Sequence, residues 1–163
     1  MAMKLIILFS FLLVSSSAFS QREKDSVYSR CPVAIKDTAT GNNYFIEHQP
    51  ATIKTYRNNG NFTIVIEQKS QYFTMFFRIR KLSTKGKGKY SISVDANNRD
   101  EMSVKYSFRS GESVAFIDVS SGKVETIYNK ATKLWNIKVN GLIANMGTSS
   151  VSYFKATADF YIR

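Results

Sequence analysis

Proton-transfer or nucleophilic chemistry in this sequence would have to be built on one histidine, His48, or one cysteine, Cys31, because no other side chain ordinarily titrates near neutral pH. A Ser-His-Asp arrangement around His48 lacks the Gly-x-Ser-x-Gly elbow that presents a serine. His48 also stands beside Gln49-Pro50 at the end of an expected strand, where a surface residue belongs. A Cys31–His48 pair has nothing behind it, since sequence spacing says nothing about spatial approach. One Cys and one His are too few for a zinc site within the chain. The run Asp95-Ala-Asn-Asn-Arg-Asp-Glu101 supplies hard oxygens, but it lacks the spacing and glycine of a calcium loop and holds Arg99 at its centre, so it reads as a solvated turn. Glycoside hydrolysis asks only that two carboxylates meet in space; Glu47, Glu67, Asp95, Asp118 and Glu125 are the candidates for a small polysaccharide-acting enzyme, the alternative reading, and no local motif joins any two of them. No cofactor is expected.

The cations are more informative. Arg78, Arg80, Lys81, Lys85, Lys87 and Lys89 place six positive charges within twelve residues with no acid among them, and Gly86 and Gly88 leave room for close backbone approach. Such a run attracts anionic lipid headgroups, acidic glycans or an acidic protein, or it is a solvated loop on a basic chain. Nucleic acid is not expected, because stacking groups would have to come from Tyr72 or Phe76 and the compartment argues against it. Tyr153, Lys155 and Tyr161 share one face near the carboxyl terminus and form a second surface of interest.

These residues must be positioned by strands. Phe62, Ile64 and Ile66 alternate with Thr63, Val65 and Glu67, and Phe73, Met75, Phe77 and Ile79 share one parity, so residues 62–82 predict a β-hairpin with one buried face. Its loop, Gln68 to Gln71, has no glycine. Asn58-Asn-Gly-Asn61 is the strongest hairpin turn, since Asn-Gly tolerates positive φ. Period-two alternation recurs at 90–94, 102–108, 135–139 and 154–162, while Cys31–Ile35, Tyr44–His48, Ala51–Tyr56, Ser113–Asp118 and Lys123–Tyr128 read as further strands. Gly141 is expected to mark a bulge. No helical period competes, and the spacing predicts a single antiparallel β-sandwich or small barrel of about eight to ten strands over residues 31–163. Phe62, Ile64, Ile66, Phe73, Phe77, Ile79, Trp135, Ile137, Phe154 and Phe160 are the expected core.

Residues 1–20 read as a signal peptide: Lys4, an apolar run from Leu5 to Val14 broken by Ser10, and small residues Ala18 and Ser20 before Gln21. The run is short of the ~20 residues that span a bilayer, and no second one follows. Removing it takes away one lysine and leaves 143 residues with 22 Lys and Arg against 12 Asp and Glu, a formal net charge of +10. Gln21 to Arg30 is expected to be a flexible leader. A secreted or periplasmic chain with one cysteine must bury it or pair it with another molecule; burial of Cys31 is the expectation.

The Ala18-Phe-Ser-Gln21 ending, the Gly88-Lys-Tyr-Ser-Ile92 strand entry and the series Ser121-Gly-Lys-Val124, Leu134 to Ala144 and Tyr153 to Ile162 together resemble small exported β proteins of Bacteroidota-type bacteria, catalogued as domains of unknown function. The resemblance covers roughly residues 60–163. It implies a compact exported β domain and supplies no active-site residues. The chain departs from that pattern in its basic character and its Lys85–Lys89 loop. The functional expectation is a non-catalytic binding or envelope-associated protein that contacts an anionic partner.

Overall fold

The computed structural model describes residues 21–22, 25–146 and 151–163; the expected signal peptide, residues 1–20, lies outside them. The chain forms β1 (Gln21–Arg22), β2 (Ser26–Tyr28), β3 (Val33–Asp37), β4 (Ala51–Asn58), β5 (Asn61–Gln68), β6 (Gln71–Phe77), β7 (Lys87–Ser93), β8 (Glu101–Ser110), β9 (Ser113–Asp118), β10 (Ser121–Asn129), β11 (Leu134–Met146) and β12 (Val151–Ile162). All belong to one sheet, in the order β1-β4-β5-β6-β8-β7-β10-β11-β12-β3, with β2 also on β4 and β9 on β8. The sheet curls around a single core, so the protein is all-β and half-barrel-like, with no second stacked sheet among the described residues.

Alternation produces the curl. Along β5 every second residue, Phe62, Ile64, Ile66 and Gln68, is buried, and along β12 so are Phe154, Ala156, Ala158, Phe160 and Ile162. Burying one such aromatic or branched side chain stabilises by roughly 1.5–3 kcal/mol. Of the expected core, Ile79 and Trp135 are only partly buried and pack against it; the other eight are buried.

The β5–β6 hairpin forms as its pattern requires, with Phe62 opposite Phe77 and Ile66 opposite Phe73. Its turn is tighter than Gln68–Gln71: those two residues pair, and Lys69 takes φ 51° in place of a glycine. At the β4–β5 turn both Asn59 (φ 47°) and Gly60 (φ 81°) are left-handed, as a two-residue hairpin demands.

Four features depart from expectation. The leader is not free: Ser26–Tyr28 pairs with Ile53–Ala51 of β4, and the Tyr28 hydroxyl donates to the Tyr161 carbonyl (2.8 Å) while accepting the Tyr161 N–H (2.7 Å). Tyr44–His48 is a loop rather than a strand, because the buried Gln68 side chain takes over its backbone, accepting from Ile46 N–H (3.0 Å) and donating to the carbonyls of Ile46 (2.7 Å) and Gln49 (3.2 Å). Gly141 makes no bulge; the register runs unbroken from Gly122 through Gly141 to Ala156. One pair is parallel: β7 and β8 overlap only at Ser91–Ile92 and Glu101–Met102, so the chain sidesteps by one strand position and continues in the same direction, without the long crossover that parallel neighbours usually need.

Cys31 is buried and its thiol pKa is pushed up by that burial. It lies on the segment from Tyr28 to Val33 that bridges the sheet's two edges, where Cys31 N–H donates to the Gln49 carbonyl (2.9 Å) and Asp159 N–H to the Pro32 carbonyl (3.3 Å).

Candidate functional site: the basic end of the sheet

The chain between β6 and β7 crosses one end of the curled sheet as a cap. Leu82 is buried there, and Trp135 Nε1 donates to the Ser83 carbonyl (3.0 Å), so two anchors fix the cap to β11. Ser83 Oγ closes the next turn on the backbone of Lys85 (3.1 Å), and Gly86 (φ +67°) supplies the left-handed step into β7.

The six expected cations are all exposed, but they divide among three settings. Arg80, Lys81 and Lys85 ride on the cap, Arg80 lying over the Gly60 turn. Arg78 turns back instead: its Nε donates to the Ala96 carbonyl and its guanidinium stands 6.0 Å from the Phe76 ring centroid. Lys87 and Lys89 project from the outer face of β7. There Lys87 Nζ meets Glu125 Oε2 at 2.7 Å, and Lys89, Glu125, Lys138 and Asp159 form a cross-strand row of alternating sign, with Lys138 Nζ 3.2 Å from Asp159 Oδ2. The hydrogen bond from Lys87, reinforced by Lys89 and Lys138, holds the Glu125 carboxyl below the usual carboxylate range.

The fold adds cations that no local pattern marks. Arg57 and Arg163 line a small cleft beside the cap with Phe62, Leu82, Trp135 and Ile162, and Lys130 and Lys133 sit exposed on the β10–β11 turn that leads into Trp135. The segments 58–61, 79–86, 129–135 and 161–163, which gather here, contain no Asp or Glu.

The alternative carboxylate set has no such focus. Glu47 faces Arg30 (3.5 Å) and Lys36 (3.8 Å), Glu67 pairs with Lys54, Asp118 with Lys105 (3.4 Å) and Glu125 with Lys87, while Asp95 is exposed in a loop. No Asp or Glu lines a described cleft. His48 is exposed and Cys31 buried. In the Asp95–Glu101 turn, Glu101 Oε2 accepts the N–H groups of Asn97 (2.8 Å) and Asn98 (3.2 Å).

Those bonds, Asn97 first, lower the Glu101 pKa, as the Ala39 and Thr40 N–H groups lower that of Asp37. A folded-state pKa below the unfolded one gives stability that is present above the unfolded value of about 4 and is lost as pH falls through the folded one. The melting temperature is therefore expected to fall below about pH 4, and less steeply in Glu101→Gln, whose amide oxygen still accepts but does not titrate. Parallel melting curves for wild type and variant between pH 5 and 3, followed by circular dichroism, would remove Glu101 from the acid response.

No family model matches the chain, and neither a curated protein nor a solved structure matches it.

Proposed function

We propose that the protein is an exported, non-catalytic binding protein whose basic end contacts a clustered polyanion, of the phosphate or carboxylate type that anionic lipid headgroups and acidic glycans present. One observation carries this reading: a cap pinned by Leu82 and Trp135 holds Arg80, Lys81 and Lys85 at the same end of the sheet as Lys130, Lys133 and Arg163, in segments free of acids. A rigid support lowers the entropic cost of aligning several cations on one partner. Lys87 is the weaker contributor, since Glu125 already neutralises it. The sequence of residues 1–20 supports export, and the resemblance to exported β proteins agrees with it.

The test uses residues 21–163 with phosphatidylglycerol vesicles, phosphatidylcholine vesicles and a sulfated glycan. Replacing Lys81, Lys85 and Lys133 together by Ser is expected to weaken binding to the anionic vesicles roughly a hundredfold, at on the order of 1 kcal/mol per lysine, with stability changed by no more than about 0.5 kcal/mol per site. Replacing Lys87 and Lys89 should do much less. Binding should weaken as salt rises, because exposed charges are screened over about 8 Å at physiological ionic strength. Preference for the glycan over vesicles would identify the polyanion as a saccharide. Equal binding to neutral and anionic surfaces, or unchanged affinity in the triple variant, defeats the reading.

A further inference from the structure

The row Lys89, Glu125, Lys138 and Asp159 balances charge on the outer face of the sheet, but toward the end of the β10–β11 ladder that is far from Trp135 the balance is lost. Val124, Gly141, Phe154 and Ala156 are buried, so the residues that alternate with them, Lys123, Asn140, Leu142 and Lys155, stand on the outer side. With Thr38 and Ser121 they line a solvent-open groove of about 450 Å³, within the size range of small-molecule sites. Gly122 and Gly141 add only backbone to the lining.

No acid lines this groove, and the acids on adjoining positions have other partners. Glu125, two residues from Lys123, meets Lys87 (2.7 Å), and Asp159 meets Lys138 (3.2 Å). Glu47 lies between Arg30 (3.5 Å) and Lys36 (3.8 Å), and Asp37 accepts the N–H groups of Ala39 (2.7 Å) and Thr40 (3.1 Å). Lys123 and Lys155 are thus left without an ion-pair partner among the described residues. Lys155 also stands directly opposite Lys36 on β3, a juxtaposition of like charges that costs stability in a ladder and that a bound anion would relieve. Neighbouring strands are about 4.8 Å apart, so β10 and β12 set the Lys123 and Lys155 backbones about 10–12 Å apart, close enough for both long side chains to reach one anion. Between them Asn140 offers an amide and Ser121 a hydroxyl, and Leu142 is the one apolar side chain of the lining.

We propose that this groove binds a saccharide bearing a sulfate or phosphate ester: the ester oxygens lie between the Lys123 and Lys155 ammonium groups, ring hydroxyls meet Asn140 and Ser121, and the C–H face of the ring lies on Leu142. Each ammonium carries three donors that can turn toward a tetrahedral oxyanion. The strands that present these side chains are held in continuous ladders, which lowers the cost of ordering the site on binding. The groove and the basic end occupy opposite ends of the β10–β11 ladder and act independently.

Residues 21–163, isotope-labelled, are titrated at fixed ionic strength with galactose 6-sulfate, galactose 6-phosphate, inorganic phosphate and galactose, and amide chemical shifts are followed. Both esters are expected to give saturable shifts centred on Ser121, Lys123, Asn140 and Lys155; inorganic phosphate should bind there at least tenfold more weakly, and galactose not measurably. Lys123→Ser and Lys155→Ser, exposed changes whose melting curves should stay close to that of wild type, should each weaken both esters about tenfold. Asn140→Ala should abolish the advantage of the esters over inorganic phosphate. The Lys81, Lys85, Lys133 triple Ser variant should bind the esters as wild type does, which separates this site from the basic end. Absence of saturable shifts with either ester, shifts centred on the Trp135 end, or wild-type affinity in both lysine variants would overturn the assignment. Inorganic phosphate binding as tightly as the esters would overturn the saccharide, and an ester advantage that survives in Asn140→Ala would overturn the role of Asn140.

Discussion

Phe77→Ala is expected to lower folding stability by about 3–5 kcal/mol, the range for truncating a buried aromatic. Phe77 is fully buried on β6, with its ring 6.0 Å from that of Phe62 and 5.1 Å, edge-on, from that of Tyr90, and with Met102 opposite on β8. Ladders flank β6 on both sides, so the backbone cannot collapse into the space vacated by the ring. For a domain with a total stability of 5–15 kcal/mol the loss is a large fraction. Urea unfolding should show a lower midpoint at unchanged slope. Phe76→Ala is the control: that ring is outward and half-exposed, and its loss should cost far less. Equal effects at the two positions would mean that the inward and outward parities of β6 had been exchanged.

Gly122→Ala is the second large effect, about 2–5 kcal/mol. Gly122 has φ 144°, a conformation close to glycine-only, and a Cβ built on it would stand 2.3 Å from the Asn140 carbonyl oxygen and 2.6 Å from Gly141 Cα. Backbone strain of about 1–3 kcal/mol and overpacking of similar size therefore act together. Both obstructing atoms are backbone, so no rotamer change relieves them. Gly111 also has positive φ, at 61°, yet has open space around its missing Cβ; Gly111→Ala isolates the strain alone and should cost less. A Gly122→Ala melting temperature no lower than that of Gly111→Ala would show that β10 and β11 separate easily there.

The strands were legible wherever one face is buried and the other wet. Phe62 to Ile66 and Phe154 to Ile162 declare their parity residue by residue, and the Asn59-Gly60 turn declares its geometry. Tyr44–His48 was misread because its backbone partner is a side chain, Gln68, twenty-two residues from Ile46, and composition carries no trace of such a bond. The basic run was legible as charge but not as a site. Alternation sends Lys87 and Lys89 to an outer face where Glu125 waits, and only the three-dimensional placement of Trp135 against Ser83 gathers Lys133 and Arg163 at the same end of the sheet as Lys81 and Lys85. The pairing of Gln71 with Phe108 was invisible for the same reason: it comes from the register of β6 on β8, which the chain order does not disclose.

The bond between Tyr28 and Tyr161 spans 133 positions. β3 likewise pairs with β12, so it has no partner strand until residues 151–162 have been made. Contacts of such sequence separation place folding toward the millisecond-to-second end of the two-state range. A nascent chain halted before β12 would carry β3 and the far side of β11 as unpaired edges, the kind of surface on which chains join one another. Loss of the last dozen residues should accordingly yield insoluble protein, whereas an internal loop such as 95–100 can be altered without delaying that closure.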